Sequence, residues 1–409
     1  MRPLRILIAN WTRAAGGGAE TYARCIIPAL QARGHEVGLL CEQDSTAGAP
    51  TIDGAASGVS LFRGEGPVAD TIRRVEDWRP DIVFVQSLLS PELESALSSR
   101  FATALFAHGY YGTCATGTKC HSFPAARPCR RPFGPACIPL NFVLGCGTRR
   151  PVAFARTCRV QRARRRLLIR YGAICVASRH MRDEFLRHGV SAQRLHVVPL
   201  PSTDVVADRR PPEPRAPSGR IVALGRLSTE KGGDRLISAM PLARRALGTP
   251  LRLVMAGSGP RREDWGRLAE ALGEPVEFPG WVEGAERERL LREADLLAMP
   301  SLWPEPFGLS GIEAGARGVP AVAYALGGIP EWLEQGVNGE LAPADPPTVR
   351  GLTDAIVRAL RSPAHWQELR VGAWRRARGA TVAAHVEALE PTLLAVAAGD
   401  RSRDAGGTR

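Results

Sequence analysis

Lysine is nearly absent from this chain, in which Lys119 and Lys231 are the only lysines among 54 basic residues. The other basic residues are arginines, a usage typical of a GC-rich genome, so part of the formal charge of +13 is compositional. A lysine is more informative in such a background, because a compact ammonium group and a planar guanidinium are not interchangeable. The total charge alone therefore does not identify an anionic partner.

Carboxylates are missing from residues 95–182, a stretch that contains sixteen arginines or lysines. Such an excess of one sign attracts nucleic acid, anionic lipid or a phosphorylated small molecule. A solvated arginine-rich face is an equally good interpretation. We keep, as a hypothesis, docking of the first half of the chain on an anionic membrane surface.

Long apolar runs and closely spaced cysteine pairs are also missing. No uninterrupted apolar run approaches the ~18 residues of a membrane-spanning helix, and residues 6–9 are too few for the core of a signal peptide, so we expect a cytoplasmic protein. The nine cysteines include no Cys-x2-Cys pair, which favours reduced thiols over a disulfide framework or a metal site. Five cysteines nevertheless crowd one glycine- and proline-rich region together with His121, namely Cys114, Cys120, Cys129, Cys137 and Cys146.

The length of 409 residues and the alternation of apolar runs with helical periodicity predict an α/β chain with two doubly wound, Rossmann-like domains. We predict a domain over residues 1–200 with a cysteine-bearing insertion at about 110–150, a proline-rich linker over 201–218, a second domain over 219–380, a C-terminal helix over 381–398 and a flexible tail over 399–409. The predicted strands lie at residues 5–9, 37–41, 82–86, 103–107, 174–177, 195–198, 220–224, 251–256, 276–278, 296–299 and 321–324.

The segment from Pro304 to Gly327 carries two carboxylates, Glu305 and Glu313, on either side of a glycine-containing entry into a helix. Backbone N–H groups at a helix start attract a diphosphate, and carboxylates accept hydrogen bonds from ribose and hexose hydroxyls. This arrangement suits a nucleotide sugar. Residues 310–313, which read Ser-Gly-Ile-Glu, also fit a capping box, in which Glu313 would only satisfy a backbone N–H.

Two cations and one histidine follow predicted strands. Arg226 and Lys231 lie between a strand and a helix, where they suit a diphosphate leaving group or form a solvated turn; His108 ends a strand at the expected cleft edge. The glycines at 16–18 lack the Gly-x-Gly-x-x-Gly spacing of a dinucleotide site. A dinucleotide-dependent oxidoreductase and a basic nucleic-acid-binding protein remain as alternatives.

In order and spacing these segments resemble family 4 retaining glycosyltransferases, whose signature is Glu-x7-Glu and whose two domains face each other across a cleft in the GT-B fold. The resemblance implies that Arg226 and Lys231 bind the donor phosphates. It also implies that Glu305 contacts the transferred sugar, that Glu313 contacts the ribose, and that His108 supports the sugar from the opposite domain. Over residues 110–150 no match can be claimed.

The resemblance further implies a hexosyltransferase that needs no metal and no tightly bound cofactor, with its C-terminal helix returning to the N-terminal domain. The donor would be a UDP-sugar first, with GDP- and ADP-sugars as alternatives, and no nucleic acid is expected as a partner. The acceptor would be a glycan, a lipid-linked sugar or a small molecule, in polysaccharide or envelope glycan synthesis. The remaining donor-binding residues implied are Gly17, Gly18, Gly257, Gly259, Val282, Phe307, Gly308, Leu309 and Ser310.

Overall fold

The structure is a computed structural model that describes residues 2–46, 49–202 and 210–405. Strands and helices alternate along both halves of the chain. The strands are β1 (Arg5–Thr12), β2 (Glu36–Gln43), β3 (Ser60–Arg63), β4 (Ile82–Ser87), β5 (Thr103–Ala107), β6 (Cys120–His121), β7 (Arg127–Pro128), β8 (Ala173–Val176), β9 (Leu195–Val197), β10 (Arg220–Leu224), β11 (Arg252–Ala256), β12 (Val276–Gly280), β13 (Leu296–Met299), β14 (Ala321–Tyr324) and β15 (Gly339–Ala342). The α-helices are α1 (Gly18–Ala32), α2 (Val68–Trp78), α3 (Pro91–Arg100), α4 (Cys137–Leu144), α5 (Pro151–Leu167), α6 (Arg179–Arg187), α7 (Gly233–Leu247), α8 (Arg262–Ala271), α9 (Gly284–Glu293), α10 (Leu309–Gly315), α11 (Val349–Leu360), α12 (Pro363–Ala377) and α13 (Val382–Ala405).

The N-terminal domain is built on a parallel sheet with the order β3-β2-β1-β4-β5-β8-β9. Its central strand β1 is buried on both faces: Ile6 and Ile8 belong to one apolar cluster, and Leu7 and Ala9 to the other. A strand covered by helices on both sides is apolar along its whole length. This burial explains why β1 is recognisable as a short apolar run in the sequence.

The C-terminal domain is built on a second parallel sheet with the order β12-β11-β10-β13-β14-β15. The direction of strand addition reverses between β10 and β13. In open α/β sheets the crevice outside the carboxyl ends of the strands at such a reversal accommodates the ligand. The loops that follow β10 and β13 therefore become neighbours, although they are about 75 residues apart in the chain.

The last helix, α13, returns to the N-terminal domain, as predicted. Val386, Leu389 and Leu393 are fully buried in the core of that domain. By length and composition alone, Val382–Gly399 would be able to cross a membrane; here its apolar side chains complete a protein core. The helix continues to Ala405 rather than ending at residue 398, and the final part of the predicted tail, 406–409, lies outside the described residues.

Two connecting segments differ in detail from the sequence prediction. The predicted linker lies partly outside the described residues, at 203–209, and its remainder rests on the C-terminal domain, where Arg215 Nη1 donates to Asp295 Oδ1 at 2.6 Å. The alternation of strands and helices in the sequence predicts a helix from Ile329, but the structure has only a short 3-10 turn there, which ends at Glu331.

The insertion of the N-terminal domain contains α4 and the antiparallel ribbon β6-β7. Its five cysteines and His121 line one cavity. The thiols are free, and burial raises the pKa of Cys120 to about 12. Within the part of the chain that the structure describes, no group of three or more His, Cys, Asp or Glu side chains is placed to hold a metal ion.

Candidate active site

A cavity lies at the strand reversal of the C-terminal sheet. Arg226 and Lys231 reach it from the loop after β10, and Glu305 and Ser310 from the segment after β13. The loops can approach because residue 232 is glycine: it has a φ of 65°, and a Cβ there would lie 2.0 Å from the carbonyl oxygen of Pro300. The fold thus brings together both predicted cations and one predicted carboxylate.

Glu305 is held by side chains from both loops. Its Oε1 accepts hydrogen bonds from Lys231 Nζ and from Ser301 Oγ, each at 2.6 Å. The ammonium group of Lys231 also lies 5.2 Å from the ring centroid of Trp303, within the range of a cation–π contact. Glu305 is 7% exposed. A buried carboxylate needs such partners, because an unpaired buried charge is strongly unfavourable.

Arg226 is placed differently from Lys231. It is exposed at the mouth of the cavity, and among the described residues no carboxylate pairs with its guanidinium. A guanidinium can donate two parallel hydrogen bonds to a phosphate. The cavity therefore has one cation already paired with a carboxylate and one available for an anion.

Glu313 does not form the capping box that the sequence allows. The N-cap of α10 is Gly308, with a φ of 85° and no side-chain cap, and Ser310 lies inside the helix, where its Oγ contacts Met299 Sδ at 3.8 Å. The Glu313 carboxylate instead pairs with Arg287 of α9. The capping-box interpretation is therefore wrong, because α10 begins at Leu309.

His108 lies across the domain cleft from α10. Gly18 and His108 of the N-terminal domain line a second cavity together with Leu309 and Glu313. His108 Nε2 is 2.9 Å from Gln86 Oε1, so it carries the proton and donates to the amide oxygen. Burial, assisted by the nearby His385, lowers the pKa of His108 to about 3. At neutral pH the imidazole is uncharged, which suits a hydrogen-bonding role and not proton donation to a leaving group.

Two glycines predicted to bind the donor have a structural reason of their own. A Cβ at Gly257 would lie 1.8 Å from the carbonyl oxygen of Gly225, and one at Gly259 would lie 2.4 Å from that of Leu227. These glycines let the loop after β11 pack on the loop that carries Arg226. Neither lines the cavity described above.

Three other residues predicted to bind the donor also have structural roles within the protein. Val282 and Phe307 are 7% and 5% exposed and pack in the same apolar cluster, so their side chains serve the core. Gly17 is the N-cap of α1, where a Cβ would lie 2.2 Å from Glu20 Oε2. A contact from any of these positions to a ligand remains a prediction and would have to involve the backbone.

Sequence reasoning missed the groups that hold the predicted residues in place. Ser301, Trp303, Gln86 and Arg287 each contact a predicted site residue. The nearness of Ser301 to Glu305 in sequence was a usable signal for that contact. The pairing of Arg287 with Glu313 joins two helices and has no local sequence signal.

Both domains match known protein families. Residues 17–201 match the model of a glycosyl transferase 4-like domain, and residues 207–377 match that of the glycosyl transferases group 1. The chain belongs to the family 4 type of GT-B glycosyltransferases. These matches give no support to the oxidoreductase or the nucleic-acid-binding alternative.

Individual relatives agree with this assignment. The chain is 36% identical over 140 residues to a glycosyltransferase of Methanocaldococcus jannaschii, MJ1607, covering 34% of this chain and 35% of that protein. It is 34% identical over 211 residues to a GDP-mannose-dependent alpha-(1-6)-phosphatidylinositol monomannoside mannosyltransferase of Mycolicibacterium smegmatis, covering 46% and 53%. The chain thus spans between about a third and about half of the length of these relatives.

Solved structures show the same fold. The structure of Anabaena Alr3699/HepE in complex with UDP and glucose superposes with a TM-score of 0.65 at 18% identity, covering 96% of this chain and 100% of that one. At this identity the likeness concerns the GT-B architecture, in which two Rossmann-like domains face each other.

Proposed function

We propose that this glycosyltransferase transfers a hexose from a nucleoside-diphosphate sugar to a glycan, lipid-linked or small-molecule acceptor, with retention of the anomeric configuration. The observation that carries the proposal is the convergence of Arg226, Lys231 and Glu305 on one cavity at the strand reversal of the C-terminal domain. Two cations next to a carboxylate suit a ligand that has both a diphosphate and a sugar. The setting we propose is cytoplasmic assembly of a polysaccharide or an envelope glycan.

The chemistry that follows is electrostatic. As the bond between the anomeric carbon and the phosphate oxygen breaks, charge grows on the diphosphate, and Arg226 and Lys231 bind it more strongly than in the ground state. The leaving phosphate oxygen takes the acceptor's proton, so no side chain has to act as the base. Charge that a metal ion would otherwise supply comes from these cations. Glu305 orients the sugar, and neutral His108 supports it from the other domain.

Glu313 completes the donor site in this proposal. It lies on α10 beside the cavity that contains His108, and its pairing with Arg287 fixes the direction of the carboxylate. A carboxylate with a fixed direction can accept both hydroxyl protons of a ribose. We therefore assign Glu313 to the ribose of the nucleotide.

A UDP-sugar is the first candidate donor because a protein of the same architecture was solved with UDP and glucose. GDP-mannose is the second candidate, since a sequence relative is named as GDP-mannose-dependent. Hydrolysis of UDP-, GDP- and ADP-sugars without acceptor tests the proposal. We expect slow release of one nucleoside diphosphate, dependent on Lys231. Absence of hydrolysis and of binding for all donors would contradict it.

A second proposal concerns the membrane surface. Apolar side chains are exposed in the insertion and at the start of α5: Phe123, Ile138, Phe142, Val143 and Val152. Asn141 is the only buried residue of α4. The surrounding stretch of residues 95–182 has no carboxylate. Exposed apolar groups among arginines suit an anionic bilayer, into which the apolar groups insert while each arginine near the surface contributes about 1 kcal/mol.

Co-sedimentation with vesicles that contain anionic lipid tests this docking. We expect binding that weakens as salt rises and that is reduced by the pair Val143→Ser and Val152→Ser, whose side chains are 61% and 84% exposed. Val337→Ser is a matched control, because Val337 is 48% exposed on the C-terminal domain. Binding that ignores salt, or that both sets of variants reduce equally, would contradict the proposal.

A further inference from the structure

The segment that carries Glu305 is also held by the opposite domain. The hydroxyl of Tyr110 donates to the carbonyl oxygen of Pro304 at 2.5 Å, and the Oγ of Ser178 donates to that of Pro306 at 2.6 Å. Tyr110 and Ser178 belong to the N-terminal domain, whereas the two prolines belong to the C-terminal domain. The residues on both sides of Glu305 are therefore fixed by hydroxyls from across the cleft.

The direction of each hydrogen bond at the Tyr110 hydroxyl follows from the chemistry of its partners. A phenol has one proton, and the carbonyl of Pro304 can only accept, so Tyr110 donates there. His180 Nε2 lies 2.9 Å from the same phenol oxygen and must donate to it. Burial lowers the pKa of His180, so its imidazole is neutral with the proton on Nε2. The phenol is thereby oriented toward the Pro304 carbonyl.

Ser178 is fixed just as closely. Its Oγ accepts from the backbone N–H of Met181 at 3.2 Å as the N-cap of α6, which leaves its proton for Pro306. The C-terminal domain closes on the same helix start, because Glu331 accepts from the backbone N–H groups of Arg179 and His180 at 2.8 and 2.9 Å. These contacts join α6 to the segment around Glu305.

Glu305 cannot move independently of these contacts. Proline fixes its own φ and restricts the preceding residue to extended backbone, so residues 304–306 form a stiff unit. The C-terminal domain holds the carbonyl of Glu305 through the N–H of Gly328 at 2.7 Å and its carboxylate through Ser301 and Lys231. A shift of either flanking carbonyl therefore displaces the carboxylate from the cavity.

We propose that Tyr110 and Ser178 are positioning residues, which set the Glu305 carboxylate against the donor sugar when the two domains are closed. This inference rests on the proposed function, in which Glu305 contacts the transferred sugar. Binding of the nucleotide does not depend on Tyr110 or Ser178, because the cations belong to the C-terminal domain.

The test uses the full chain and acceptor-independent hydrolysis of the sugar nucleotide that is hydrolysed fastest in the donor panel. Loss of one hydrogen bond in each of Tyr110→Phe and Ser178→Ala should lower kcat by about 10-fold. Binding of the nucleoside diphosphate, measured by calorimetry, should stay within about twofold, as the phosphate contacts are intact. A fall in affinity equal to the fall in rate would overturn the inference.

Matched controls separate positioning from loss of stability. Tyr171→Phe also removes a buried tyrosine hydroxyl from the N-terminal domain, namely the one that donates to Glu94. Ser90→Ala also removes an N-cap, that of α3, through the bond from Leu93 N at 3.1 Å. Within the described residues, the side-chain hydrogen bonds of Tyr171 and Ser90 do not reach residues 304–306. Both controls should keep the wild-type kcat, and equal losses in controls and test variants would overturn the inference.

A double-mutant cycle with Glu305→Gln distinguishes this inference from the proposed function. If Tyr110 acts through Glu305, adding Tyr110→Phe to Glu305→Gln should change kcat by less than about twofold. A further 10-fold loss would show that Tyr110 acts by another route. If Glu305→Gln alone keeps the wild-type rate, the proposed function fails first, whatever Tyr110→Phe does.

Discussion

The pairing of Lys231 with Glu305 gives the sharpest prediction for this site. Lys231→Ala removes the ammonium group that lies 2.6 Å from Glu305 Oε1 and leaves Ser301 to hold the carboxylate. A hydrogen bond to a charged group contributes about 1.5–3 kcal/mol, which corresponds to a fall of roughly 10- to 150-fold in kcat/KM. The diphosphate loses a cation in the same variant, so we expect the upper part of this range.

Nucleotide-sugar hydrolysis measures this loss, and thermal unfolding checks the fold. Lys231→Ala leaves the buried Glu305 carboxylate without its cation, so we expect some loss of stability, and the rate is measured well below the melting temperature of the variant. Arg245→Ala is the matched control, because it removes an exposed cation from the last turn of α7 in the same domain. Near-normal hydrolysis by a folded Lys231→Ala variant would show that Lys231 does not stabilise the departing diphosphate.

Further predictions concern Glu313, the packing of α10 and the response to acid. Glu313→Gln should raise the dissociation constant of the donor, measured by calorimetry, by about 10-fold while the melting temperature stays within a few degrees; unfolding instead would assign Glu313 a structural role. Gly311→Ala should destabilise the protein by about 1–3 kcal/mol in denaturant unfolding, because the new Cβ would lie 1.9 Å from the indole of Trp332; an unchanged midpoint would contradict the packing described. Burial lowers the pKa of His385 from 6.5 to about 4. As pH falls, the unfolded chain therefore binds a proton at this histidine before the folded chain does, and the stability present above pH 6.5 is lost as pH decreases to 4. Between pH 7 and pH 5 the titration of His385 should lower the free energy of unfolding by about 2 kcal/mol. In His385→Asn the free energy of unfolding, measured with denaturant, should depend on pH less strongly by that amount; an unchanged pH profile would contradict this prediction.

The layout of the fold could be predicted because it depends on local signals. β5, β10, β13 and β14 begin and end where the apolar runs do, since parallel strands covered on both faces are apolar throughout. α13 was harder to delimit: it contains Pro391 and many alanines, and its burial depends on a domain distant in sequence.

The positions of the charged residues of the candidate site could be predicted from the sequence, but the residues that hold them in place could not. Arg226, Lys231 and Glu305 have sequence contexts that restrict their position to loops at strand ends. A glycine in sequence does not reveal whether a ligand or the chain itself needs the space, and at Gly257 the structure shows that the chain does. The hydroxyl of Tyr110 meets the Glu305 segment only because the two domains close, which no local pattern records.

We propose that Arg226 and Lys231 together bind a diphosphate in the C-terminal cavity. Calorimetric titrations of the protein with UDP and, separately, with uridine measure the contribution of the diphosphate to binding. GDP and guanosine are used instead if the donor panel selects guanine. Two charge-assisted contacts predict that the diphosphate binds at least about 100-fold more tightly than the nucleoside. In the double variant Arg226→Ala, Lys231→Ala this difference should shrink to about 10-fold or less. An unchanged difference in the double variant would show that Arg226 and Lys231 do not bind the diphosphate.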